Sequence, residues 1–357
     1  MKTISLPLFY GLLLGLCLLS ESCQKEEVNL QQQYANGGVL TYWLGPNRSN
    51  PTPESSWRLV ASQMRADQPK ELYRISYGSF SKQWSNKART IFHEKGTLNA
   101  VGLDGRVESI EANIDLDNLS RDLQWTPDER YLAVTINSGR RLVIYDLVEQ
   151  TYVYQSEEPP LNDRYYFSDI QWSPDGRKLA FLKRSFNSAS NARLFELMAL
   201  DLDNGPLART LFSDSMLIDD DFQWGPDAQY IYRPDYSTIF RYRIDDGYTE
   251  EVLEMPLTRL SGPDLSPDSR FLLISCLDLL QNKIFLKKVD LQSRETEDIQ
   301  EGFCRGYTWS KDGLSLMYYF PSENVMKKDR LDAEKPAQSI HRFELGFSPQ
   351  FFSWLQK

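Results

Sequence analysis

IQWSPDG, residues 170–176, is one copy of a short motif that recurs along this 357-residue chain. Close copies are LQWTPD at 123–128 and FQWGPD at 222–227, and weaker ones are DLSPD at 264–268 and YTWSKDG at 307–313. A Pro-Asp-Gly sequence favours a tight turn, because Pro presets φ, Asp caps the local backbone and Gly tolerates positive φ. The motif therefore predicts a recurring turn between two strands.

The copies are regularly spaced. Including a degenerate copy, KQWSNK, the anchor positions are 84, 125, 172, 224, 265 and 309, which lie 41 to 52 residues apart. Each copy is followed by apolar runs rich in β-branched and aromatic residues, such as YLAV at 131–134 and RLVIYD at 141–146. Such runs, bounded by turn residues, are typical of strands. Each repeat therefore predicts a unit of four short strands.

A four-stranded sheet with two apolar faces is not stable alone. Packing such sheets radially buries both faces and leaves only short edges, which produces a β-propeller. The Trp beside each turn is wide enough to fill the gap between neighbouring sheets. We therefore predict an all-β fold, a β-propeller of four-stranded antiparallel blades. We assign structural roles to the repeat tryptophans: Trp84, Trp125, Trp172, Trp224, Trp309 and Trp354.

The number of blades depends on the two ends of the chain. FFSWLQK at 351–357 resembles the first strand of a further blade, and Trp354 lies 45 residues after Trp309. Three strand-like runs, at 39–44, 57–64 and 71–76, precede the first motif. We predict that the C-terminal strand pairs with these N-terminal strands, which gives seven blades. The alternative is six blades, with the N-terminal strands as an appendage.

These repeats resemble the WD-like repeats of the TolB-type propellers of the periplasmic Tol system. They are also similar to the repeats that build the propeller of dipeptidyl-peptidase-type hydrolases. The resemblance covers roughly residues 80–320 and implies the propeller fold. The sequence has no Gly-x-Ser-x-Gly elbow and no hydrolase-sized stretch after the repeats, so the resemblance carries no catalysis with it. A TolB-like accessory role in envelope translocation is one functional alternative, although no N-terminal α/β domain of the Tol kind is visible.

The first residues of the sequence predict a targeting segment. Lys2 precedes an apolar run at 6–19, and Ser22-Cys23 resembles a bacterial lipoprotein cleavage box, although Glu21 departs from it. QKEE at 24–27 resembles the acidic export tag of surface lipoproteins of the Bacteroidetes group. We predict a signal peptide over 1–22, a lipidated Cys23 with a flexible tether over 23–38, and one propeller domain over 39–357. The implied location is the outer membrane, periplasmic or surface-exposed; the alternative is a secretory signal with an incidental Cys.

The composition excludes several kinds of chemistry. Fifty acidic against 40 basic residues give a formal charge of -10, which argues against a nucleic-acid partner. The chain has only two His, and no Cys/His spacing suits zinc, so we predict no metal and no cofactor. Asp128, Asp175, Asp227, Asp268 and Asp312 lie in the motif turns, where we expect them to cap the backbone. For Cys276 and Cys304 we favour two buried thiols over a disulfide.

The connections predict where a ligand would bind. We call the rim formed by the connections after strands one and three of each blade the turn rim, and the opposite rim, formed by those after strands two and four, the link rim. We expect long insertions on the link rim at 45–56, 185–193 and 321–338. Functional residues concentrate on such loops, so this rim is the predicted binding site, with these candidates: Asp115, Asp117, Asp163, Tyr165, Tyr166, Asp219, Asp220 and Asp221.

The predicted function is that of a non-catalytic, envelope-anchored lipoprotein. Its link rim would bind a protein or a glycan, and its acyl chains would hold it to the membrane. A carbohydrate-binding or carbohydrate-active propeller is the alternative. A glycosidase would need two carboxylates about 5 to 9.5 Å apart across a pocket, which a sequence cannot reveal.

Overall fold

The computed structural model describes residues 39–46, 56–63, 70–75, 79–114, 119–157, 163–187, 192–215, 221–330, 338–342 and 347–355. Within those ranges every regular element is a strand. The same ranges contain no helix that is long and apolar enough to cross a membrane. The predicted signal peptide and tether, with Cys23, lie outside the described residues.

The described strands number 28. The first fourteen are β1 (Val39–Pro46), β2 (Trp57–Gln63), β3 (Lys70–Ile75), β4 (Ser79–Phe80), β5 (Arg89–Glu94), β6 (Thr97–Gly102), β7 (Val107–Ile110), β8 (Leu119–Trp125), β9 (Tyr131–Ile136), β10 (Arg141–Asp146), β11 (Thr151–Gln155), β12 (Asp163–Trp172), β13 (Lys178–Asn187) and β14 (Ala192–Asp201). The remainder are β15 (Arg209–Asp214), β16 (Gln223–Trp224), β17 (Tyr230–Asp235), β18 (Thr238–Arg243), β19 (Thr249–Glu254), β20 (Thr258–Leu265), β21 (Phe271–Asp278), β22 (Lys283–Asp290), β23 (Thr296–Glu301), β24 (Arg305–Trp309), β25 (Ser315–Phe320), β26 (Val325–Arg330), β27 (Gln338–Arg342) and β28 (Phe347–Leu355).

The strands form seven four-stranded antiparallel sheets, the blades of a β-propeller. Blades 1 to 6 are β4–β7, β8–β11, β12–β15, β16–β19, β20–β23 and β24–β27. Blade 7 has the order β28-β1-β2-β3, so its first strand comes from the C-terminal part of the chain. There Leu40 pairs with Trp354 and Val39 with Leu355. The prediction of seven blades, closed by a C-terminal strand beside the N-terminal strands, is confirmed.

The core lies between the blades. Leu182 and Leu197 of blade 3, for example, pack against Trp224, Ile231 and Tyr242 of blade 4. Burying each such side chain contributes about 2–3 kcal/mol relative to leaving it in water. The predicted structural tryptophans Trp125, Trp172, Trp224 and Trp309 are buried and Trp84 is half-buried, whereas Trp354 is described only through its strand pairing.

The Pro-Asp turns have the structural role expected of them. Asp175 Oδ1 accepts hydrogen bonds from Ser173 Oγ at 2.6 Å and from the backbone N–H of Arg177 at 3.0 Å. Gly176 follows with a φ of 71°, in the left-handed region that favours glycine. Equivalent backbone contacts are made by Asp128, Asp227, Asp268 and Asp312.

The degenerate motif of blade 1 has no turn Asp, and a neighbouring blade supplies a carboxylate instead. Glu129 Oε1 accepts a hydrogen bond from Ser85 Oγ at 2.6 Å, and Glu129 Oε2 contacts Lys87 Nζ at 3.0 Å and Arg89. Burial acts to raise the pKa of Glu129, but the hydrogen bonds from Arg89, Ser85 and Lys87 outweigh it, so the pKa is lowered. The two blades are therefore joined through an ionised Glu129.

Two of the three expected insertions on the link rim are wrong in extent. Residues 185–193 are mostly strand, because β13 continues to Asn187 and β14 begins at Ala192. Residues 321–338 contain β26, which follows a tight turn at 321–324, since Val325 and Met326 pair with Phe320 and Tyr319. Residues 331–337, which separate the third and fourth strands of this blade, lie outside the described residues. Of 45–56, residues 47–55 lie outside the described residues.

The preference for two buried thiols is confirmed. Cys276 and Cys304 are both buried and neither forms a disulfide. Burial raises the pKa of the Cys304 thiol to about 12. Both cysteines therefore behave as small apolar residues rather than nucleophiles.

Candidate functional site

Several predicted rim residues cannot be placed. Cys23 and the aspartates Asp115, Asp117, Asp219 and Asp220 lie outside the described residues. Asp163 is the first residue of β12, and Asp221 is exposed just before β16. The acidic candidates that the structure describes are therefore Asp163 and Asp221.

The tyrosines predicted beside this rim belong to β12, and they point to opposite faces of blade 3. Successive side chains in a strand alternate between the two faces of a sheet. Tyr165 is half-buried against blade 2, where its hydroxyl donates to the carbonyl oxygen of Glu157. Phe167 is buried on the same side. Tyr166 faces blade 4 instead and is 44% exposed, so it is the tyrosine available for a ligand.

Strand pairing builds an unusual surface around Tyr166. In one row Tyr166 pairs with Arg184, and Arg184 pairs with Phe195. In the next row Arg164 pairs with Phe186, and Phe186 pairs with Arg193. Directly paired residues share one face of a sheet, so arginines and aromatic rings alternate across it. We call this surface the Arg–aromatic face, defined by Arg164, Tyr166, Arg184, Phe186, Arg193 and Phe195.

Blade 3 exposes this face because it is longer than its neighbour. Strands β12, β13 and β14 each have ten residues, whereas β17 and β18 of blade 4 have six. One row below Tyr166, Leu182 and Leu197 are already covered by blade 4. The two rows above project past the described strands of blade 4 at the link rim. They line a cavity of about 410 Å³ that Tyr166, Arg184, Ser185, Phe186, Arg193 and Phe195 enclose.

Local contacts fix the centre of the face. The Arg184 guanidinium lies 5.5 Å from the centre of the Tyr166 ring, and its Nη1 donates to the Tyr166 hydroxyl at 3.4 Å. Arg184 Nη2 also lies 3.4 Å from Asp169 Oδ2. Asp169 sits at a register shift of β12 and has a φ of 53°, which bends the strand beneath the face. The guanidinium group of Arg184 is therefore held between the Tyr166 ring and the Asp169 carboxylate.

The sequence contained a signal for this face that the prediction missed. Arg184 and Phe186 occur at i and i+2, as do Arg193 and Phe195, and this is the period of a strand face. Treating 185–193 as a loop hid that alternation. Of the predicted candidates that the structure describes, Tyr166 alone lies on the face.

A second cavity of about 300 Å³ opens where the first strands end, at the turn rim, and Gln171, Gln223 and Gln83 are among its lining residues. Two of these amides are engaged by the protein itself. Gln171 Nε2 donates to the carbonyl of Phe222 at 3.1 Å, and Gln83 Nε2 donates to that of Trp172 at 3.4 Å. Two of the polar groups that line this cavity therefore already form hydrogen bonds within the propeller.

Blade 5 differs at the same motif position, where Asp264 replaces the glutamine. Burial raises the pKa of Asp264 to about 7, and its Oδ2 is buried with no hydrogen-bond partner in the described part of the chain, although the side chain as a whole is only half-buried. Nearby, the Tyr307 hydroxyl donates to the carbonyl of Gly262 and accepts from the backbone N–H of Ser275 at 3.1 Å. Burial and the adjacent Asp264 raise the Tyr307 pKa well above its ordinary value. Asp264 is thus a carboxyl that can exchange a proton near neutral pH.

Among the described residues, no group of three or more His, Cys, Asp or Glu side chains is arranged to hold a metal ion.

Comparison with known proteins finds similarity at the level of the fold. No family profile and no curated protein matches the sequence. Among solved structures, TolB from Acinetobacter baumannii matches with a TM-score of 0.53 and 14% identity over 90% of this chain and 67% of that chain. An oligogalacturonate lyase in complex with manganese matches with a TM-score of 0.56 and 11% identity over 86% of each chain. The oligogalacturonate lyase from Vibrio parahaemolyticus matches with a TM-score of 0.51 and 12% identity over 85% of this chain and 86% of that chain.

At such identities these likenesses show a shared β-propeller fold, and function must be argued from the site. The chain is therefore a seven-bladed β-propeller protein with TolB-like and lyase neighbours.

Proposed function

We propose that this protein is a non-catalytic lipoprotein of the cell envelope that uses the Arg–aromatic face to bind a protein or a glycan. The observation that carries the proposal is the pair of rows that the described strands of blade 4 leave uncovered at the link rim, where aromatic rings and guanidinium groups alternate. Exposed aromatic rings provide contact area at little entropic cost, and guanidinium groups provide directed hydrogen bonds.

The chemistry of these side chains favours binding over turnover. A guanidinium stays protonated at physiological pH and donates hydrogen bonds without releasing a proton. Phenylalanine offers only contact area. Such a set recognises and holds a ligand, whereas general acid–base catalysis needs groups that titrate near the working pH.

The location in the proposal is that of an outer-membrane lipoprotein, periplasmic or surface-exposed, anchored through Cys23. It is supported by the apolar run at 6–19, the Ser22-Cys23 pair and the acidic stretch at 24–27. More than one acyl chain is needed for stable anchoring, and lipoprotein processing supplies several.

Replacing Tyr166 tests the platform. On an array of neutral and acidic oligosaccharides and peptides, we expect the full-length chain to bind, and Tyr166→Ala to weaken that binding about tenfold, since an aromatic contact is worth about 1–2 kcal/mol. The matched control is Tyr248→Ala on the turn rim, where Arg243 lies 5.1 Å from an exposed tyrosine ring. If only the control variant lost binding, the site would lie on the turn rim.

A carbohydrate-active propeller is the second candidate, favoured by the raised pKa of Asp264 beside Tyr307. A carboxyl whose pKa lies near 7 can act as a general acid or base. Reducing ends released by the full-length chain, and no longer released by Asp264→Asn, would support this candidate. Binding on the array without any release would support the first.

A further inference from the structure

The Arg–aromatic face carries a local positive charge on an acidic protein. Arg164 and Arg193 are exposed, and neither forms an ion pair with any residue that the structure describes. Arg184 lies between them in the neighbouring row and contacts Asp169, and the same row ends at Asp214, which pairs with Phe195. The chain as a whole has a formal charge of -10, so this concentration of arginine stands out from its surroundings.

A further arginine lies close behind the face. Arg233 of blade 4 is only 2% exposed, and its Nε and Nη1 have no hydrogen-bond partner among the described residues. Its guanidinium lies 4.1 Å from the centre of the Phe212 ring, and Phe212 pairs with Leu197, one row below Arg184. A cation with unsatisfied donors in a low-dielectric environment strengthens the attraction of the adjacent surface for an anion.

The geometry of the strands sets the spacing of the exposed charges. Arg164 and Arg193 are in the same row but two strands apart, which separates their Cα atoms by about 10 Å. Aromatic rings lie between and beside them. A ligand that satisfies this arrangement has several anionic groups, spaced along a chain whose units also offer a flat apolar surface.

We propose that the Arg–aromatic face binds an acidic glycan, a chain of sugar rings that carry carboxylates, and this inference rests on the binding function proposed above. Guanidinium groups bind carboxylates through paired, charge-assisted hydrogen bonds. The apolar face of a sugar ring stacks on an aromatic side chain such as Tyr166, Phe186 or Phe195. Arginine and aromatic side chains together therefore match the carboxylate and the apolar ring face of a uronate unit.

An acidic peptide is the competing ligand, and the construction of the face favours the glycan. Extended peptides are usually bound through main-chain hydrogen bonds to an exposed strand edge. Here β13 is a central strand that pairs on both sides, whereas β14 pairs with β15 only from Phe195 to Ala199. The side chains of Arg184 and Phe186 therefore project from a main chain that is already paired, which suits a ligand recognised by stacking and by charge.

The test compares three probes on the full-length chain by titration calorimetry. The probes are a uronate hexasaccharide, the same hexasaccharide after reduction of its carboxylates to alcohols, and hexaglutamate. We expect the uronate to bind most tightly and its affinity to fall as the salt concentration rises. Arg164→Gln and Arg193→Gln should each weaken uronate binding about tenfold. Arg106→Gln, an exposed arginine on the turn rim, should leave it unchanged.

The outcomes separate this inference from the platform itself. If both sugars bind equally and the arginine variants match Arg106→Gln, while Tyr166→Ala still weakens binding, the platform stands and the acidic-glycan inference is wrong. Tighter binding of hexaglutamate would overturn the inference in favour of an acidic protein partner. Failure of all three probes to bind would overturn it as well, and the array would then decide whether the platform survives.

Discussion

Asp264 shows how a single substitution in a repeat changes its chemistry. The equivalent positions in blades 3 and 4 hold Gln171 and Gln223, whose neutral amides need no counter-charge. A carboxylate at this position loses hydration without gaining a cation, so its neutral form is favoured and the pKa is raised to about 7. Tyr307 packs beside it at a bulge, where a Cβ on Gly262 would lie 2.6 Å from the Tyr307 hydroxyl. The packing of Tyr307 beside Asp264 therefore requires a glycine at position 262.

Replacing Asp264 with Asn should change how stability depends on pH. The folded protein holds a proton on Asp264 that the unfolded chain releases, because the folded pKa of about 7 exceeds the ordinary value of 3.8. The contribution of Asp264 to wild-type stability should therefore fall as the pH rises from about 4 to about 7. Asn has no proton to lose, so the stability of Asp264→Asn relative to wild type should rise by roughly 1–3 kcal/mol across this window.

Urea unfolding between pH 4 and pH 8 measures this difference. The expected change is below the full value for a buried carboxyl, because the Asp264 side chain is only half-buried and solvent screens its charge in part. Asp203→Asn, at an exposed aspartate, controls for the loss of a surface charge. A difference that stays constant with pH would show that Asp264 does not hold the proton.

Between elements, the motif tryptophans join the blades as well as filling space. Trp172 Nε1 donates to the carbonyl of Gln124, and Trp224 Nε1 donates to that of Gln171, both at 3.1 Å. Trp309 makes the same bond, at 3.1 Å, to Asp264. Each bond runs from one blade to the motif residue of the preceding blade. Trp125 differs from these three, since its buried Nε1 has no partner among the described residues.

This difference predicts unequal costs for the same substitution. Trp172 and Trp125 are both 1% exposed, so replacement by Phe removes a similar volume from each site. Trp172→Phe also leaves the carbonyl of Gln124 without its donor, whereas Trp125→Phe breaks no such bond. We expect Trp172→Phe to lower the free energy of unfolding by about 1–2 kcal/mol more than Trp125→Phe. Equal losses in guanidinium chloride would argue that the indole bonds contribute nothing.

The elements also show what the sequence could predict and why. Turn chemistry and apolar runs are local properties of the sequence. The repeated Trp-x-Pro-Asp motif therefore predicted the blades, and the position of Trp354 predicted the strand that closes the ring. The C-terminal half of β26 has the sequence of a loop because Lys327, Lys328 and Asp329 are charged. The strand nevertheless pairs with β25 on one side and with β27 on the other. The Arg–aromatic face was missed for a related reason. It depends on how far blade 3 projects beyond blade 4, which is set by two strand lengths together.

The closure of the ring also decides which rim would face a membrane. Val39, at the start of β1, pairs with Leu355 at the end of β28, where first strands reach the turn rim. A tether over 23–38 would therefore join the propeller at the turn rim. The Arg–aromatic face lies on the link rim. A lipid on Cys23 would thus leave the proposed binding face directed away from the bilayer.

Labelling of engineered cysteines on membrane-bound protein tests this orientation. The native Cys276 and Cys304 are buried, so they should not react in the folded state. Leu194, on the link rim, and Leu207, on the turn rim, are both exposed positions for a new thiol. In membranes, a bulky PEG-maleimide should modify Leu194→Cys several times faster than Leu207→Cys. A flexible tether of 16 residues has an end-to-end distance of only about 20–24 Å, which restricts access to the near rim.

The same pair of variants in a Cys23→Ser background provides the control. Without a lipidated cysteine the chain should leave the membrane fraction, and both rims should then meet the reagent freely. The preference for Leu194→Cys should disappear with the anchor, and Leu207→Cys, at a position that is 84% exposed against 40% for Leu194, should then react at least as fast. A preference for Leu194→Cys that persisted in the released protein would reflect local reactivity, and the same ratio of rates with and without the anchor would mean that the tether does not orient the propeller.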